Sequence, residues 1–236
     1  MSDKPKLLVA EMVRAVLDGR KTETRTPVKR LKMHADFGQP DWKQAWLDGT
    51  AEQPYLKIAY VGGPGGTTVH RHYPQYEVGD RMYVRETWRI NSVGYYCSDH
   101  TAPHIIDIEY GCLPGDARGA SENVCGNDES LSVARHYYHK HAEGQFSPSI
   151  HMPKWAARIF RPVTAVRFER MQEITEAGAM AEGVCFDDCY YSLGRDYGAQ
   201  TYRELYKRLW DSLYGKKYPW ASNPWVEVVT FERSKL

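Results

Sequence analysis

The order in which strand and helix patterns follow one another constrains the fold of this chain more than any other feature. Residues 6–18, KLLVAEMVRAVLD, begin apolar and then place apolar side chains at helical spacing. This pattern predicts a short strand and then a helix that ends at Gly19, because glycine commonly follows a helix C-terminus. In residues 76–90 a Gly-Asp turn precedes an alternation that puts four side chains on one face: Met82, Val84, Glu86 and Trp88. That segment is typical of a barrel strand with one carboxylate on its apolar face.

The C-terminal third of the chain repeats the change between strand and helix patterns. Residues 163–168 predict part of a long strand, and the helix after it begins at Thr175, a suitable N-cap, and ends at Gly183. Residues 199–213 predict an amphipathic helix with four inward side chains: Tyr202, Leu205, Leu209 and Leu213. Residues 223–233 predict a closing strand. The order of elements indicates an α+β fold, with a small mixed β-barrel flanked by helices.

Three segments are predicted to lack regular structure. Residues 19–27, GRKTETRTP, follow a helix end, and Pro27 keeps them from continuing as helix, so we expect a turned and partly exposed backbone. Residues 61–68, VGGPGGTT, lack the Gly-Lys-Ser/Thr ending of a phosphate loop and predict a flexible loop. Residues 91–147 show no strong periodicity and predict a partly irregular insertion in a single domain that covers residues 1–236.

Charge and composition narrow the classes of partner. The chain has 31 Lys+Arg against 30 Asp+Glu, a formal net charge of +1. This balance argues against a protein that coats duplex nucleic acid, which needs a broad basic surface. The sequence contains no apolar run long enough to span a bilayer and no signal-peptide pattern, so we expect a cytoplasmic protein with no membrane contact.

The cysteines do not predict disulfides, a metal site or a cofactor. Their number is odd and their spacing irregular: Cys97, Cys112, Cys125, Cys185 and Cys189. The insertion also contains several histidines, but no CxxC pair supports a zinc site there. We therefore expect free thiols, no bound metal and no cofactor.

Six motifs in one order resemble those of the ASCH-domain family, and their amino-acid sequences are most similar to those of its phage and prophage members. They are LDGRKTETR, VGDRMYVRETWR, HMPKWAARI, ITEAGAMAEGV, LWDSLYG and NPWVEVVTFER. The resemblance covers roughly residues 6–90 and 147–233 and leaves the insertion outside. It implies a PUA-like β-barrel, a fold class associated with RNA binding and recognition of modified nucleotides.

The resemblance also implies an activity and a set of catalytic residues. One bacterial branch of the family is an amidohydrolase that removes the acetyl group from N(4)-acetylcytidine. Its lysine and threonine lie in a Gly-Arg-Lys-Thr-x-Thr motif that GRKTET matches, which selects Lys21 and Thr24. Its glutamate lies in a motif that TEAGAMAEG matches, which selects Glu182. The chain departs from the family at Thr26, where an arginine is usual, so the anchoring of the substrate is not implied at that position.

These residue types can perform amide hydrolysis without a metal. The hydroxyl of Thr24 is a weak nucleophile unless a base removes its proton. Lys21 can act as that base if burial or the flanking cations Arg20 and Arg25 lower its pKa. Glu182 can then deliver a proton to the leaving amine or position a water molecule.

Two other functions remain open from the sequence. The first is a non-catalytic reader of RNA, DNA or a modified base, in which the cations around the same motif hold phosphates: Lys21, Arg25, Lys29, Arg30 and Lys32. The second is a hydrolase or nuclease that acts on a nucleic acid polymer. In any of these functions, additional residues predicted to contact the ligand are Arg20, Glu86, Trp88 and Trp155, the aromatic ones by stacking on a base. We expect a monomer that binds a modified nucleoside or single-stranded RNA or DNA.

Overall fold

The structure is a computed structural model of the 236-residue chain. It describes residues 1–29, 38–50, 53–63, 66–95, 104–111, 121–126, 132–134, 136–138, 145–186 and 199–233. The fold is mixed α+β, with many strands and few helices. The α+β prediction is therefore confirmed.

Eleven strands and three longer α-helices have defined bounds in the described residues, and short helical stretches lie at 132–134 and 136–138. The strands are β1 (Asp3–Leu7), β2 (Glu23–Pro27), β3 (Gly38–Gly49), β4 (Pro54–Gly63), β5 (Gly66–His72), β6 (Arg81–Arg85), β7 (Trp88–Tyr95), β8 (His104–Tyr110), β9 (Ser121–Gly126), β10 (Phe160–Arg170) and β11 (Trp225–Phe231). The helices are α1 (Ala10–Leu17), α2 (Glu176–Ala181) and α3 (Tyr202–Tyr214). Short 3₁₀ turns cover Ser149–His151, Lys154–Ala156, Met171–Glu173 and Trp220–Ser222. None of the helices in these parts of the chain is long and apolar enough to cross a membrane.

The chain divides into two compact units. The first unit contains Met1–Ser2, Gly19–Asp80 and Pro162–Leu236, and the second contains Asp3–Asp18 and Arg81–Arg161. The prediction of one domain over residues 1–236 stays a prediction.

The first unit is built on two antiparallel arrangements of strands. β11 pairs with β10 on one side and with β2 on the other, and β4 pairs with β3 and β5. One apolar cluster packs Phe168 and the partly buried Trp225 against the hydrophobic side chains of the β3–β4–β5 sheet. The strand β2 is held to β11 in a register that pairs Arg25 with Val228 and Thr24 with Val229.

The second unit has a parallel pair, β1 with β6, and an antiparallel sheet, β7–β8–β9. Its core contains Trp88, Tyr110 and Met152, each at most 1% exposed. Most of the β7–β8–β9 sheet lies in the region predicted as an insertion, residues 91–147, so part of that region is more regular than its sequence indicates. The cause is that β7 and β8 contribute apolar side chains such as Ile90, Ile106 and Ile108 to the core, and tertiary burial outweighs weak local patterns.

The sheets are open, and the described strands do not form the closed barrel that the sequence predicts. The segment 76–90 is also two strands rather than one, because β6 ends at Arg85 and β7 begins at Trp88. Likewise, the predicted loop at residues 61–68 is largely the end of β4 and the start of β5. Pairing between neighbouring strands supports this glycine-rich backbone.

The segment GRKTETRTP is the clearest correction, because Glu23–Pro27 is a mostly buried strand and not an exposed turn. Pro27 is tolerated because it is the last residue of an edge strand, where a missing amide donor costs little. The helix that ends before Gly19, the strand at residues 163–168 and the closing strand are confirmed. Gly19 has φ +70°, which suits its place after α1.

The two C-terminal helices also follow the sequence in their bounds. α2 begins after Thr175 and ends before Gly183, as predicted. In α3 the inward face is rotated from the predicted one, because Leu213 is 43% exposed whereas Tyr206 and Trp210 are buried. Leu205 is buried as predicted, whereas Tyr206 and Trp210 are core residues that the sequence pattern did not select.

Candidate active site

Two segments far apart in sequence are tied together in the first unit. The amide of Thr22 donates to the carbonyl of Ala181 at 2.8 Å, and Nη1 of Arg20 donates to the carbonyl of Gly183 at 2.9 Å. Nζ of Lys21 donates to the backbone carbonyl of Glu182, also at 2.9 Å. The residues before β2 therefore lie against the C-terminal end of α2.

The end of α2 positions Glu182 for this contact. Thr175 caps the helix, since its hydroxyl accepts from the amide of Gly178 at 3.0 Å. The chain turns out of the helix at Gly183, whose φ of +85° lies in the left-handed region that glycine adopts without strain. Glu182 is thus fixed at the last position before the turn.

Lys21 and Glu182 form a buried ion pair, as the motifs predict for two residues of one site. Nζ of Lys21 donates to Oε2 of Glu182 in a short hydrogen bond. The two residues are 161 positions apart and are 1% and 3% exposed. Tertiary structure, not local sequence, brings them together.

The second oxygen of Glu182 accepts two further hydrogen bonds. Nη1 of Arg25 and the hydroxyl of Tyr206 each donate to Oε1 of Glu182 at 3.2 Å. Three side chains therefore donate to one buried carboxylate. A buried carboxylate needs hydrogen bonds of this kind, because it is no longer hydrated by water.

Arg25 connects this pair to a wider network. Its Nε donates to Glu169 at 2.7 Å and its Nη2 to Glu23 at 2.9 Å. Arg167 in turn donates to both of those carboxylates, at 3.0 to 3.2 Å. Together with Lys21 and Glu182, the network has three cations and three carboxylates, so its formal charge is zero.

The guanidinium of Arg25 also explains a glycine in α2. A Cβ at Gly178 would lie 2.9 Å from Nη2 of Arg25, closer than carbon and nitrogen can approach. Nη1 of Arg25 donates to the carbonyl of Gly178 at 3.3 Å. The helix can approach Arg25 this closely only because residue 178 has no side chain.

Burial and charge shift the pKa values of the network in different directions. Burial lowers the pKa of Lys21 below its ordinary value, although the charge of Glu182 opposes the shift. Burial favours a lower pKa for Arg25 as well, but Glu182 and Glu169 outweigh it and raise that pKa. Burial together with the negative charge of Glu182 raises the pKa of Tyr206 well above its ordinary value. Lys21 is thus the cation of this network that is driven toward its neutral form.

Glu23 takes part in the network although no role was predicted for it. Burial would raise its pKa, but hydrogen bonds from Arg167 and the charge of Arg25 prevail and lower it. Its position could have been inferred, because Glu23 and Arg25 are two residues apart and strand neighbours at that spacing share a face. Tyr206 offers no comparable signal in the sequence.

Thr24 lies on the opposite face of β2 from Glu23 and Arg25. Side chains alternate along a strand, and the cross-strand partner of Thr24 is the buried Val229. Thr24 itself is 3% exposed. The predicted nucleophile is therefore near the ion pair in sequence but does not share the face of β2 that meets Glu182. Its catalytic role stays a prediction.

A surface pocket of about 350 Å³ lies beside the ion pair. Its walls are Gly19, Arg20, Thr22, Met180, Ala181, Val184, Cys185, Tyr202 and Arg233. These include the immediate sequence neighbours of both Lys21 and Glu182, but the ion pair itself is not part of the wall. The sequence predicted Arg20 for ligand contact and missed Tyr202 and Arg233.

The remaining predicted ligand contacts do not belong to this network. Lys29 is exposed just after β2, and Arg30 and Lys32 lie outside the described residues. Glu86 is 2% exposed and accepts two hydrogen bonds from Arg158, at 2.9 and 3.0 Å, within the second unit.

The predicted stacking aromatics also lie in the second unit. Trp88 is fully buried in its core, and Trp155 packs edge-on against it with a centroid distance of 6.1 Å. For Trp88, burial makes core packing the evident role in this structure. The proposed contact of both tryptophans with a base stays a prediction.

Potential metal ligands do not cluster in the part of the chain that the structure describes, where no group of three or more His, Cys, Asp or Glu side chains could hold an ion. Cys97, Cys112 and Cys189 lie outside that part, and Cys185 lies in the pocket wall.

Comparison with known proteins found no relative of this chain. No family model, no curated protein and no solved structure matches this chain. The resemblance to ASCH-domain proteins thus stays an interpretation of six short motifs.

Proposed function

We propose that this protein is an amidohydrolase that removes the acyl group from a modified cytidine nucleoside such as N(4)-acetylcytidine, on a PUA-like fold of the ASCH type. The observation that carries the proposal is the contact of Lys21 with Glu182. Two motifs select these residues for one catalytic site from the sequence alone. Their separation of 161 positions makes a chance contact improbable.

The buried pair supplies the proton transfers of the reaction. Burial lowers the pKa of Lys21, which favours its uncharged amine. The hydrogen bond from Nζ to Oε2 allows the proton that Lys21 releases to move to Glu182. After this transfer, the uncharged amine of Lys21 can act as a base and the protonated carboxyl of Glu182 can act as an acid.

Each bond and each proton of the reaction can be accounted for without a metal. A hydroxyl nucleophile, Thr24 in the family-derived scheme, gives its proton to Lys21 and attacks the acyl carbon. The bond from that carbon to N4 breaks, and the amine leaves with the proton of Glu182. Water hydrolyses the acyl-enzyme ester, so the products are cytidine and the free acid.

The pocket beside the pair has the size of a small-ligand site, since such sites begin at roughly 300 Å³. Because Lys21 and Glu182 are almost wholly buried, a substrate in the pocket reaches them only when Arg20–Thr22 and Ala181–Gly183 separate. Substrate binding and the opening of these contacts are therefore coupled in the proposal.

Turnover of N(4)-acetylcytidine by the pure protein tests the function. We expect Lys21→Ala and Glu182→Gln to reduce kcat by about 100-fold or more, as for loss of a general base or acid. Lys21→Arg keeps the positive charge but cannot act as a base, because a guanidinium does not lose its proton. It should fold and remain inactive. Lys216→Ala, at an exposed position, serves as the control and should keep full activity.

Two results would contradict the proposal. The first is no turnover by the wild type at high enzyme concentration, and the second is full activity in Lys21→Arg. The role of Thr24 is tested separately, since Thr24→Ser keeps a hydroxyl and Thr24→Ala does not. Activity in both Thr24 variants would assign the attack to water.

A second candidate function is a reader that binds a nucleotide without reacting with it. The observation that favours it is the burial of Lys21, Arg25 and Glu182, whereas in the pocket wall Arg20 is half-buried and Arg233 is exposed. A reader predicts ligand binding that weakens as salt rises, and no deacylation. Binding without turnover in the wild type would favour this function.

A further inference from the structure

We propose that Tyr206 is a positioning residue for the acid of the site. Its hydroxyl holds Oε1 of Glu182, so that Oε2 faces Lys21 and is the oxygen that takes up and returns the proton. The inference rests on the proposed function, because it assigns a residue that acts through the same carboxylate. The family resemblance implies no role for Tyr206.

The two oxygens of Glu182 have different partners. The hydroxyl of Tyr206 and Nη1 of Arg25 each donate to Oε1 at 3.2 Å, whereas Nζ of Lys21 donates to Oε2. Rotation of the carboxylate plane would therefore break hydrogen bonds on both oxygens. A proton on Oε1 would also face the hydrogens of two donors. The proton that Glu182 receives from Lys21 thus belongs on Oε2.

Tyr206 is suited to this role because it keeps its proton. The residue is 4% exposed, and burial together with the negative charge of Glu182 raises its pKa well above the ordinary value. The phenol therefore stays a donor at the pH at which Lys21 and Glu182 exchange a proton. Because it is neutral, it orients the carboxylate without adding a charge to the network.

The start of α3 is bonded to the helix that carries Glu182. The backbone amides of Tyr202 and Arg203 donate to the carboxylate of Glu176 at 2.9 and 3.2 Å. Glu176 is the first residue of α2, and Glu182 directly follows the last. Tyr206 lies one turn after Tyr202 in α3. These contacts fix the distance between Tyr206 and the carboxylate that it holds.

Of the two donors to Oε1, Tyr206 permits the cleaner experiment. Arg25 also donates to Glu23 and Glu169, so its removal would leave several buried charges without a partner. Tyr206→Phe removes one oxygen atom and keeps the buried ring. The variant therefore isolates the hydrogen bond to Glu182.

An NMR titration of the Lys21 amine tests the inference without any substrate, with the signal assigned by its loss in Lys21→Arg. The charges of Glu182 and Glu23 raise the pKa of Lys21, whereas burial and Arg25 lower it. Without the Tyr206 hydroxyl, the carboxylate is held less firmly and accepts the proton of Lys21 more readily. Both effects favour the uncharged amine. The pKa of Lys21 in Tyr206→Phe should therefore fall below its wild-type value by about one unit.

Tyr110→Phe is the matched control for the loss of a buried tyrosine hydroxyl. Tyr110 is fully buried in the second unit, and its hydroxyl donates to the carbonyl of Ala156 at 2.8 Å. This variant loses a hydrogen bond but keeps the contact with Glu182, so the pKa of Lys21 should equal that of the wild type. Thermal unfolding verifies that each variant is folded.

Turnover of N(4)-acetylcytidine gives a second readout. Tyr206→Phe should lower kcat by roughly tenfold and leave KM unchanged, because it disturbs the acid and not the binding of the substrate. In the Glu182→Gln background the same substitution should cause no further decrease, since the residue through which Tyr206 acts is already absent.

Three outcomes would overturn the inference. The first is a wild-type kcat in Tyr206→Phe, and the second is a further decrease of similar size in the Glu182→Gln background. The third is a pKa of Lys21 that stays unchanged in Tyr206→Phe or falls equally in Tyr110→Phe.

The two readouts separate this inference from the proposed function. If the wild type hydrolyses N(4)-acetylcytidine and Tyr206→Phe is equally fast, the function stands and the inference fails. If the wild type shows no turnover but the pKa of Lys21 falls only in Tyr206→Phe, Tyr206 positions the pair and the function fails. A lower kcat together with a lower pKa of Lys21 supports both.

Discussion

At the scale of single residues, the candidate site depends on the mutual neutralisation of buried charges. Glu182 accepts hydrogen bonds from Lys21, Arg25 and Tyr206. Arg25 also donates a hydrogen bond to the carboxylate of Glu169. Removing one partner of a buried ion pair typically costs about 3–5 kcal/mol, because the other charge is left uncompensated. A loss of activity in Lys21→Ala therefore counts as catalytic only if thermal unfolding shows that the variant is folded.

Tyr206→Phe should change how stability depends on alkaline pH. The variant loses one hydrogen bond to a charged acceptor, which costs roughly 1.5–3 kcal/mol near neutral pH. In the wild type, the pKa of the buried phenol lies well above its ordinary value. The unfolded chain therefore releases this proton near pH 10 while the folded protein keeps it, and the free energy of unfolding falls as pH rises further.

Denaturation at about pH 8 and about pH 10.5 measures this effect. The difference in the free energy of unfolding between wild type and Tyr206→Phe should shrink at the higher pH, since the phenylalanine has no proton to release. Tyr218→Phe is a control tyrosine outside the network. A difference that stays constant with pH would contradict the assignment of the shift to Tyr206.

Some residues of the candidate site could be predicted from the sequence, and others could not. Lys21 and Glu182 could be selected because short motifs contain them. Tyr206 could not, because its contact with Glu182 depends on how α3 is rotated against α2, and the leucine pattern of α3 indicated a different inward face. Thr24 was selected by its motif, yet its orientation follows from the strand that GRKTETRTP forms.

At the scale of elements, the short helix α2 determines where Glu182 lies. It has six residues, too few to be stable without its cap and its tertiary contacts. The N-cap at Thr175 was recognisable from sequence because capping residues act locally. The strand character of Glu23–Pro27 was not, because it arises from pairing with β11, some 200 residues later.

Thr175→Ala should therefore loosen the element that holds Glu182. We expect the free energy of unfolding to fall by about 1 kcal/mol, the usual cost of losing an N-cap, and Thr175→Asp to restore most of it. Thr201→Ala removes the corresponding cap of α3 and is the matched control. Only the Thr175 variant should speed hydrogen exchange at the amide of Glu182. Equal exchange in both alanine variants would show that the α2 cap does not hold this residue.

At the scale of the whole molecule, each of the two units contains an apolar cluster and a buried ion pair. In the second unit, Glu86 and Arg158 have side chains that are 1% and 7% exposed. The sequence predicted that Glu86 lies on an apolar strand face, and burial with an arginine partner is consistent with that pattern. The division into units itself was not predicted, since it depends on contacts between segments distant in sequence.

Glu86→Ala should destabilise the second unit selectively. Arg158 then loses its carboxylate partner in a buried position, at a cost of about 3–5 kcal/mol. Hydrogen exchange followed by mass spectrometry should show faster exchange in residues 81–95 and 104–111 than in β10 and β11. Asp48→Asn, which removes an exposed ion pair with Lys57, should change exchange little anywhere. A uniform increase over the whole chain would indicate a single cooperative unit.

The pairing of β2 with β11 has a consequence for how the protein is made. Glu23 and Arg25 are synthesised early, but β11, which fixes their strand, ends at Phe231. At roughly 5–20 residues per second, a ribosome needs about 10–40 s to cover that interval. The charges of the candidate site stay hydrated in the nascent chain during this time. The charge network can form only when β11 has left the exit tunnel, so β2 stays without this strand partner for the whole of that interval.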